Sequence, residues 1–323
     1  MSTLPFPAAA DSPIGRADAA AKERARVRRG LALGLLGVAL FAVTPVATRL
    51  AVGDAAAPQL SPLFVTAGRA AVAGLLAALT LLLTRAPRPP REARGALMVT
   101  LAGVVFGFPL GLALALREVE AVHASVVTGV LPLATAVVGA LLLRQRASRG
   151  FWACGALAAA LVVAYAVVRG GGHWRAADGW LLFAMASAAI GYVQGARLSQ
   201  QMSPERVIGW VLVMALPVTL PLAAWAAWHS PIAWAEVRAL AWAGFAYVAV
   251  VSMWLGFFAW YRALALGGTL RVSQVQALQP FISMLVAVPL LGESIDGATL
   301  GFALAVGLVV WIGRRMPVGA ARR

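Results

Sequence analysis

Long apolar segments follow one another along the chain and are separated by short polar stretches. Each segment has about 20 residues, the length of a helix that crosses a hydrocarbon core of about 30 Å. The pattern predicts ten transmembrane spans, numbered here in chain order: 30–52, 62–84, 96–116, 121–143, 150–168, 179–198, 207–227, 239–261, 271–291 and 297–313. With 61% hydrophobic and 12% charged residues, the chain has more apolar side chain than one water-soluble core would bury. The expected fold class is an all-α membrane protein.

The two halves of the chain repeat each other at a constant offset of 148 residues. The matching pairs are Arg49-Leu50 with Arg197-Leu198, Ala115-Leu116 with Ala263-Leu264, Ser125 with Ser273, and Pro132 with Pro280. Each copy holds five spans, and because five is odd, equivalent spans must cross the membrane in opposite directions. The sequence therefore predicts two inverted five-helix repeats, 30–168 and 179–313, around a site near the midplane.

The net charge of +15 is distributed unevenly over the loops. Basic residues are concentrated before span 1 and after the even-numbered spans, whereas the other loops hold only Arg117, Arg169, Arg175 and Arg238. By the positive-inside rule, we expect a plasma-membrane protein with both termini in the cytoplasm. Residues 1–29 and 314–323 are predicted as basic cytoplasmic tails, the first of them disordered. Because the charge encodes orientation, no nucleic-acid partner is expected.

Several short motifs give the chain a family likeness. The likeness rests on Phe64–Arg69 in span 2, on the two Ala-Leu, Ser and Pro series of the repeats, and on Leu290–Glu293 at the end of span 9. With these motifs the chain resembles the drug/metabolite transporter superfamily, and specifically its ten-span proteins with two EamA-type repeats. The resemblance implies a secondary transporter that exports a small metabolite or an amino acid, with multidrug efflux as the alternative. One departure is that the acidic residue expected after span 4 is replaced by Gln145, and its counterpart persists only as Glu293.

Two other classes of protein, an intramembrane enzyme and a channel, are alternatives to a transporter. An intramembrane enzyme needs a nucleophile with its base, a metal-ligand cluster or paired carboxylates at membrane depth, and the sequence shows none of these. A channel needs no chemistry, so it stays open as an alternative, although the inverted repeat favours a carrier. We therefore expect no enzyme, no cofactor and no metal. The expected partners are a small-molecule substrate, the lipid bilayer and, as one option, a second copy of the chain in a homodimer.

Polar and aromatic residues inside the predicted spans are candidates for the substrate pathway. Arg69 lies seven residues into span 2, and a mid-membrane arginine costs on the order of 2.5–3.5 kcal/mol. A substrate carboxylate, a gating contact or a structural anchor would each explain it. The other candidates are Thr128, Gln194, Ser252, Trp254, Ser273, Gln276, Gln279 and Ser283. Interhelical hydrogen bonding is the alternative role for the polar residues, and core packing is the alternative for Trp254.

The equivalent prolines Pro132 and Pro280 are predicted hinges, with an inherited kink as the alternative. No Asp or Glu lies inside a predicted span, and His123 is expected at the outer surface. Proton- and sodium-coupled carriers usually keep such a group in the pathway. The sequence therefore favours facilitated efflux, or coupling at an unidentified site, over carboxylate-based antiport.

Overall fold

A computed structural model describes residues 13–142, 144, 146–199, 201–230, 233–267 and 273–319. The α-helices are α1 Pro13–Ala42, α2 Thr44–Val52, α3 Pro62–Leu83, α4 Arg94–Thr100, α5 Phe108–Ala115, α6 Ala121–Thr128, α7 Leu131–Leu142, α8 Arg149–Arg169, α9 Ala176–Leu198, α10 Pro204–Trp228, α11 Ala239–Ala246, α12 Gly256–Gly267, α13 Gln279–Leu291 and α14 Gly297–Arg315. Short 3-10 helices cover Arg91–Ala93, Trp234–Glu236 and Ser273–Leu278, and π-helical segments cover Leu101–Gly107 and Tyr247–Leu255. Two short strands, β1 Arg146–Ala147 and β2 Val318–Gly319, pair antiparallel.

Nine helical stretches in the described part of the chain are long and apolar enough to cross a membrane. They are Ala21–Val52, Pro62–Leu83, Arg91–Ala115, Ala121–Leu142, Arg149–Arg169, Ala176–Leu198, Pro204–Trp228, Ala239–Trp260 and Gly297–Arg315, and they correspond to every predicted span except span 9. Spans 1, 3, 4 and 8 each combine two or more consecutive segments. The predicted fold class, an all-α membrane protein, is confirmed.

Span 9 differs from its prediction, because its apolar helix is shorter, at Val275–Leu291. Its first part is the 3-10 helix Ser273–Leu278, and only from Gln279 onward is it α-helical. Pro280 lacks the backbone N–H that an α-helix would direct to the carbonyl of Gln276, which interrupts the ladder at this point. The prediction of a single α-helix over 271–291 was therefore wrong for Ser273–Leu278.

The N-terminal tail differs as well. Residues 13–29, predicted to be disordered, form the first turns of helix α1. This stretch is rich in Ala and Arg, which are strong helix formers, and it begins with a proline, which is favourable at the first helical position. Residues 1–12 lie outside the described residues. At the other end, Arg314 and Arg315 belong to α14, and Val318–Gly319 forms strand β2.

The packing of the spans is unchanged when the two repeats are exchanged. Span 2 packs on span 7, span 4 on span 9, and span 5 on span 10, and each pair consists of equivalent helices. Span 1 packs on span 8 and span 3 packs on span 6, which are again equivalent contacts. The bundle therefore has pseudo-two-fold symmetry. We call the end with both termini and the loops after even-numbered spans the terminal face, and the other end the opposite face.

Spans 3 and 8, which are equivalent, both contain a π-helical segment. The N–H of Phe108 donates to the carbonyl of Gly103, and the N–H of Gly256 donates to the carbonyl of Val251. Each bond reaches five residues back, and the two are 148 residues apart in the sequence. Segments of this kind are rare and occur frequently at functional sites. The same irregularity thus lies at matching depth in both repeats.

Small residues bring spans 3 and 6 close together. Gly103, Gly107 and Gly111 repeat every four residues along the face of span 3 that packs on span 6. A Cβ atom at Gly107 would lie 2.6 Å from Cβ of Ser187, which is too close for any side chain. Small residues at this spacing allow membrane helices to approach closely. The tight contact fixes the position of span 6 against the first repeat.

Candidate functional site

Arg69 is buried between the two repeats, with only 4% of its surface exposed. Its Nη2 donates to the Ser252 hydroxyl at 3.4 Å, and that oxygen lies 2.8 Å from the Thr44 hydroxyl. Among the described residues, Arg69 forms no ion pair, and its Nε has no hydrogen-bond partner. Spans 1, 2 and 8 therefore surround a positive charge that no carboxylate of the described chain neutralises.

A tyrosine lies near this charge. The phenol of Tyr192 in span 6 is close enough to Arg69 for the two groups to interact electrostatically. We call Thr44, Arg69, Tyr192 and Ser252 the arginine cluster. Trp254 lies two residues after Ser252 in the π-helical segment of span 8, and its buried indole N–H has no acceptor within the described chain. Sequence reasoning identified Arg69, Ser252 and Trp254 but missed Thr44 and Tyr192, which carried no distinguishing pattern.

The start of span 2 places Arg69 at its depth. The Ser61 hydroxyl accepts the N–H of Phe64 at 3.1 Å, and Pro62 is the first helical residue, so the helix begins at the opposite face. Arg69 then falls two turns into the bundle. Above it, the ring of Phe64 stacks on Phe245 at 5.4 Å. The aromatic layer is completed by Trp234 and Trp242. This layer separates Arg69 from the opposite face.

A cavity of about 180 Å³ lies at the terminal face, where the end of span 2 meets the start of span 7. It is lined by Ala77, Thr80, Leu81, Thr84, Ser203, Glu205, Arg206, Gly209 and Phe258. Phe258 also packs edge-on against Trp254, with 5.5 Å between ring centroids. Ala77 lies two turns along span 2 from Arg69. Phe258 thus connects the cavity wall to Trp254 in span 8.

At the opposite face, the two repeats are joined through polar contacts at helix ends. The Glu293 carboxylate accepts the N–H of Ala121 at 2.8 Å and that of Val122 at 2.7 Å, which satisfies two donors at the start of span 4. Arg49 donates to the carbonyl of Leu116 at the end of span 3. Burial raises the pKa of Glu293, while the two backbone donors and the charge of Arg49 act in the opposite direction. The start of span 4 thus faces a negative charge and the end of span 3 a positive charge, and each charge complements the dipole of its helix.

A second group of charges lies beside this contact. Arg169 at the end of span 5 donates to Asp296 at 2.7 Å and to Glu120 at 3.2 Å. We call Arg49, Glu120, Arg169, Glu293 and Asp296 the ion network. It contains residues of both repeats, because Glu293 and Asp296 follow span 9 and the others belong to the first half of the chain.

The positions equivalent to the ion network at the terminal face are nearly all uncharged. Glu120, Arg169, Glu293 and Asp296 correspond, at the offset of 148, to Gly268, Pro317, Gln145 and Ser148. Only Arg49 keeps its charge, as Arg197, which is exposed and donates to Gln194 at 3.4 Å within its own helix. Four of the five charges of the ion network therefore have no counterpart at the equivalent positions of the sequence.

A buried histidine corrects two expectations. His123, predicted at the outer surface, is 5% exposed, and its Nε2 lies 2.7 Å from the Asp178 carboxylate, which is 1% exposed. Asp178 lies inside span 6 because the helix begins at Ala176, three residues earlier than predicted. Its carboxylate accepts the N–H of Arg175 at 3.2 Å, just before the helix begins. The absence of carboxylates inside the spans was thus wrong at this boundary. Tyr165 stacks on His123 with ring centroids 5.0 Å apart.

Ser283, another candidate, lies at a different contact from Arg69. Its hydroxyl is 2.7 Å from that of Ser125, so the pair joins the equivalent spans 4 and 9. Gly129 packs against Pro280 close by, where a Cβ atom would lie 3.3 Å from the proline ring. Pro132 and Pro280 are each the second residue of an α-helical segment that follows a break in its span. Their role as hinges stays a prediction.

The remaining candidates are dispersed. The Thr128 hydroxyl donates to the carbonyl of Ala124 in its own helix at 2.7 Å, and Gln194 faces Arg197 near the terminal face. Gln276 and Gln279 are half-buried on either side of the change from 3-10 to α-helix. The side chain of Ser273 lies outside the described residues. The single polar stripe predicted for span 9 is therefore divided by the change of helix type.

Comparison with known proteins agrees with this architecture. The model of the EamA-like transporter family matches twice, at residues 28–167 and 175–313. The uncharacterized transporter YdeK of Bacillus subtilis (strain 168) is 41% identical over 282 residues, which cover 87% of this chain and 96% of YdeK. A solved crystal structure of a protein with 18% identity aligns over 88% of this chain and 97% of its own, with a TM-score of 0.58, and so shares the fold. The chain therefore belongs to the EamA-like transporter family, as its sequence motifs implied.

Proposed function

We propose that the protein exports a small metabolite or an amino acid across the plasma membrane by alternating access, with its terminal face in the cytoplasm. The observation that carries this proposal is the one-sided ion network. Two repeats related by a two-fold axis can pack equally well in two ways, with either face closed. Here the opposite face is held by charges of both repeats, and the terminal face has a cavity at its surface. The arrangement suits a carrier that is open toward its terminal face.

Transport in this scheme requires the ion network to separate while the terminal face closes. The Glu293 contact joins span 4 to the loop after span 9, and the Ser125–Ser283 pair joins the same two spans deeper in the bundle. Both spans are broken next to Pro132 and Pro280, so we assign the hinges to these points. The substrate pathway runs between the repeats. It includes the arginine cluster and Trp254, Thr128 of span 4, Ser283 of span 9, Gln276 and Gln279 beside the hinge, and Gln194 at the terminal face.

The matched serines offer a direct test. With Cys154, the only native cysteine, replaced by alanine, the double variant Ser125→Cys/Ser283→Cys places two thiols where the hydroxyls are 2.7 Å apart. This is close enough for a disulfide. The purified protein is reconstituted into proteoliposomes and assayed for counterflow of a panel of radiolabelled amino acids and small metabolites.

We expect oxidation to abolish counterflow by locking spans 4 and 9 together, and reduction to restore it. Each single-cysteine variant, treated identically, is the matched control and should keep its activity. Counterflow that continues through the cross-linked protein would contradict alternating access at this contact. Transport of no member of the panel by the unmodified protein would contradict export of amino acids and metabolites, and transport of cationic drugs alone would favour multidrug efflux.

A further inference from the structure

We propose that the arginine cluster binds the carboxylate group of a substrate that carries one such group. This inference rests on the proposed function and assigns its substrate class. The starting observation is the buried positive charge. An unpaired guanidinium in a membrane interior is costly, and an arginine near the end of a span usually extends to the interface to avoid that cost. Arg69 is 4% exposed beneath the stacked rings of Phe64 and Phe245, so its guanidinium does not reach water at the opposite face.

The cluster presents hydrogen-bond donors in excess. Within the described chain, the Nε–H of Arg69 is buried without an acceptor. The oxygen of the Ser252 hydroxyl is shared between Arg69 and Thr44. A guanidinium can only donate. A ligand group that completes this site must therefore accept several hydrogen bonds and carry a negative charge.

Geometry and charge together select a carboxylate. The free Nε–H and an Nη–H of a guanidinium point in parallel and match the two oxygens of a carboxylate. Only one cation belongs to the cluster, so a dianionic phosphate or a dicarboxylate would bring one charge more than the site neutralises. An ammonium group has no acceptor in the cluster except hydroxyl oxygens. A monocarboxylate balances both the charge and the donors.

Two aromatic rings and the cavity at the terminal face are available for the rest of the substrate. Trp254 and Phe258 pack edge-on, and Phe258 lines the cavity that opens at the terminal face. A solute whose carboxylate meets Arg69 would place its side chain against these rings. The site therefore suits a carboxylate attached to an apolar or aromatic body.

The test compares four probes that share a phenyl ring. L-phenylalanine and 3-phenylpropionate carry a carboxylate, L-phenylalaninamide has an amide in its place, and 2-phenylethylamine has neither. Binding is measured as the rise in melting temperature of the full-length protein in detergent with increasing probe concentration. We expect both carboxylates to stabilise the protein, and the amide and the amine to do so at least tenfold more weakly.

Three variants connect the effect to the cluster. Arg69→Gln should weaken carboxylate binding about ten- to a hundredfold, because it removes a charge-assisted bidentate contact. Arg69→Lys keeps the charge but not the two parallel N–H groups of the guanidinium. Its affinity for the carboxylates should lie between those of the wild type and Arg69→Gln. Ser252→Ala should bind severalfold more weakly while folding normally. Arg94→Gln, an exposed arginine at the terminal face, is the matched control and should bind as the wild type does.

The outcomes separate this inference from the proposed function. Equal stabilisation by the amide or the amine, unchanged binding by both Arg69→Gln and Ser252→Ala, or no stabilisation by either carboxylate would overturn the carboxylate site. Any of these results together with counterflow of other solutes would leave the exporter intact. Carboxylate-selective stabilisation that Arg69→Gln abolishes, in a protein that performs no counterflow, would support the binding site and contradict the exporter.

Discussion

The two faces of the bundle are built from equivalent segments of the chain, yet they are closed by different means. At the opposite face, Glu293 binds the start of span 4 and Arg49 the end of span 3. At the terminal face, the same positions hold Gln145 and an exposed Arg197. The packing of the helices follows the pseudo-two-fold axis, whereas the distribution of charged residues does not. In the proposed mechanism, the duplicated packing gives two arrangements, and these few charged positions determine which of them is preferred.

Such a preference need not be large. A carrier that populates one arrangement a hundred to one differs from a balanced carrier by roughly 2.7 kcal/mol. Two backbone N–H groups held by a carboxylate contribute on this order, since each buried donor left without an acceptor costs about 1–3 kcal/mol. The ion network therefore has the right magnitude to bias the equilibrium while still allowing the face to open during transport.

The largest expected effect comes from the buried pair beside the ion network. His123→Leu removes the side-chain partner of Asp178 and leaves the carboxylate with the N–H of Arg175 alone, and breaking a buried pair costs about 3 kcal/mol or more. We expect a clear fall in melting temperature in detergent. His229→Leu, at an exposed histidine, should melt as the wild type does. Asp178→Asn, which keeps a hydrogen-bonding side chain, should lose less stability. A His123→Leu protein with unchanged melting temperature would show that the pair does not hold the opposite face together.

A smaller effect is expected for Glu293→Ala, which leaves the N–H groups of Ala121 and Val122 without their acceptor. The opposite face should then open more often. In the Cys154→Ala background, a cysteine at Ser125 should react about tenfold faster with an impermeant maleimide added from that side. Arg169→Gln is the matched comparison, because its partially exposed ion pairs are worth about 0–1 kcal/mol. Equal labelling rates in the two variants would mean that Glu293 has no special role in closure.

The smallest effect concerns pH. Burial raises the pKa of Glu293 in the folded protein above its reference value of 4.5, so the folded state binds its proton more tightly than the unfolded state does. The resulting stability is present below about pH 4.5 and is lost as the pH rises through the raised value. Glu293→Gln should therefore be as stable as the wild type in acid and more stable than the wild type toward neutral pH. A constant difference in melting temperature between pH 4 and pH 7 would contradict this assignment.

The spans were predictable because each depends on a local run of apolar residues, and the repeat was predictable because its offset is constant. The errors in the predicted spans lie at helix boundaries, where single residues determine where a helix begins or changes type. The start of span 6 depends on the Asp178 carboxylate, which accepts the N–H of Arg175, and the form of span 9 depends on Pro280. Hydropathy averages over windows and does not register either effect.

The site was less predictable than the fold. Arg69 was identified because an arginine in a span is costly, but its neighbour Ser252 is 183 residues away in the sequence. Tyr192 and Thr44 are ordinary residues in span positions, and only the packing of spans 1, 2, 6 and 8 brings them to the arginine. The asymmetry at Gln145 and Glu293 was visible in sequence, whereas its effect on helix ends required the structure.

The π-helical segments also record the history of the chain. A π turn accommodates one residue more than an α turn, so it marks an insertion into a regular helix. The offset between repeats is 148 both before span 3, at Arg49 and Arg197, and after it, at Ser125 and Ser273. An insertion acquired by only one copy would have changed that offset by one. The equal offset is what duplication of a five-span unit that already held the extra residue would leave.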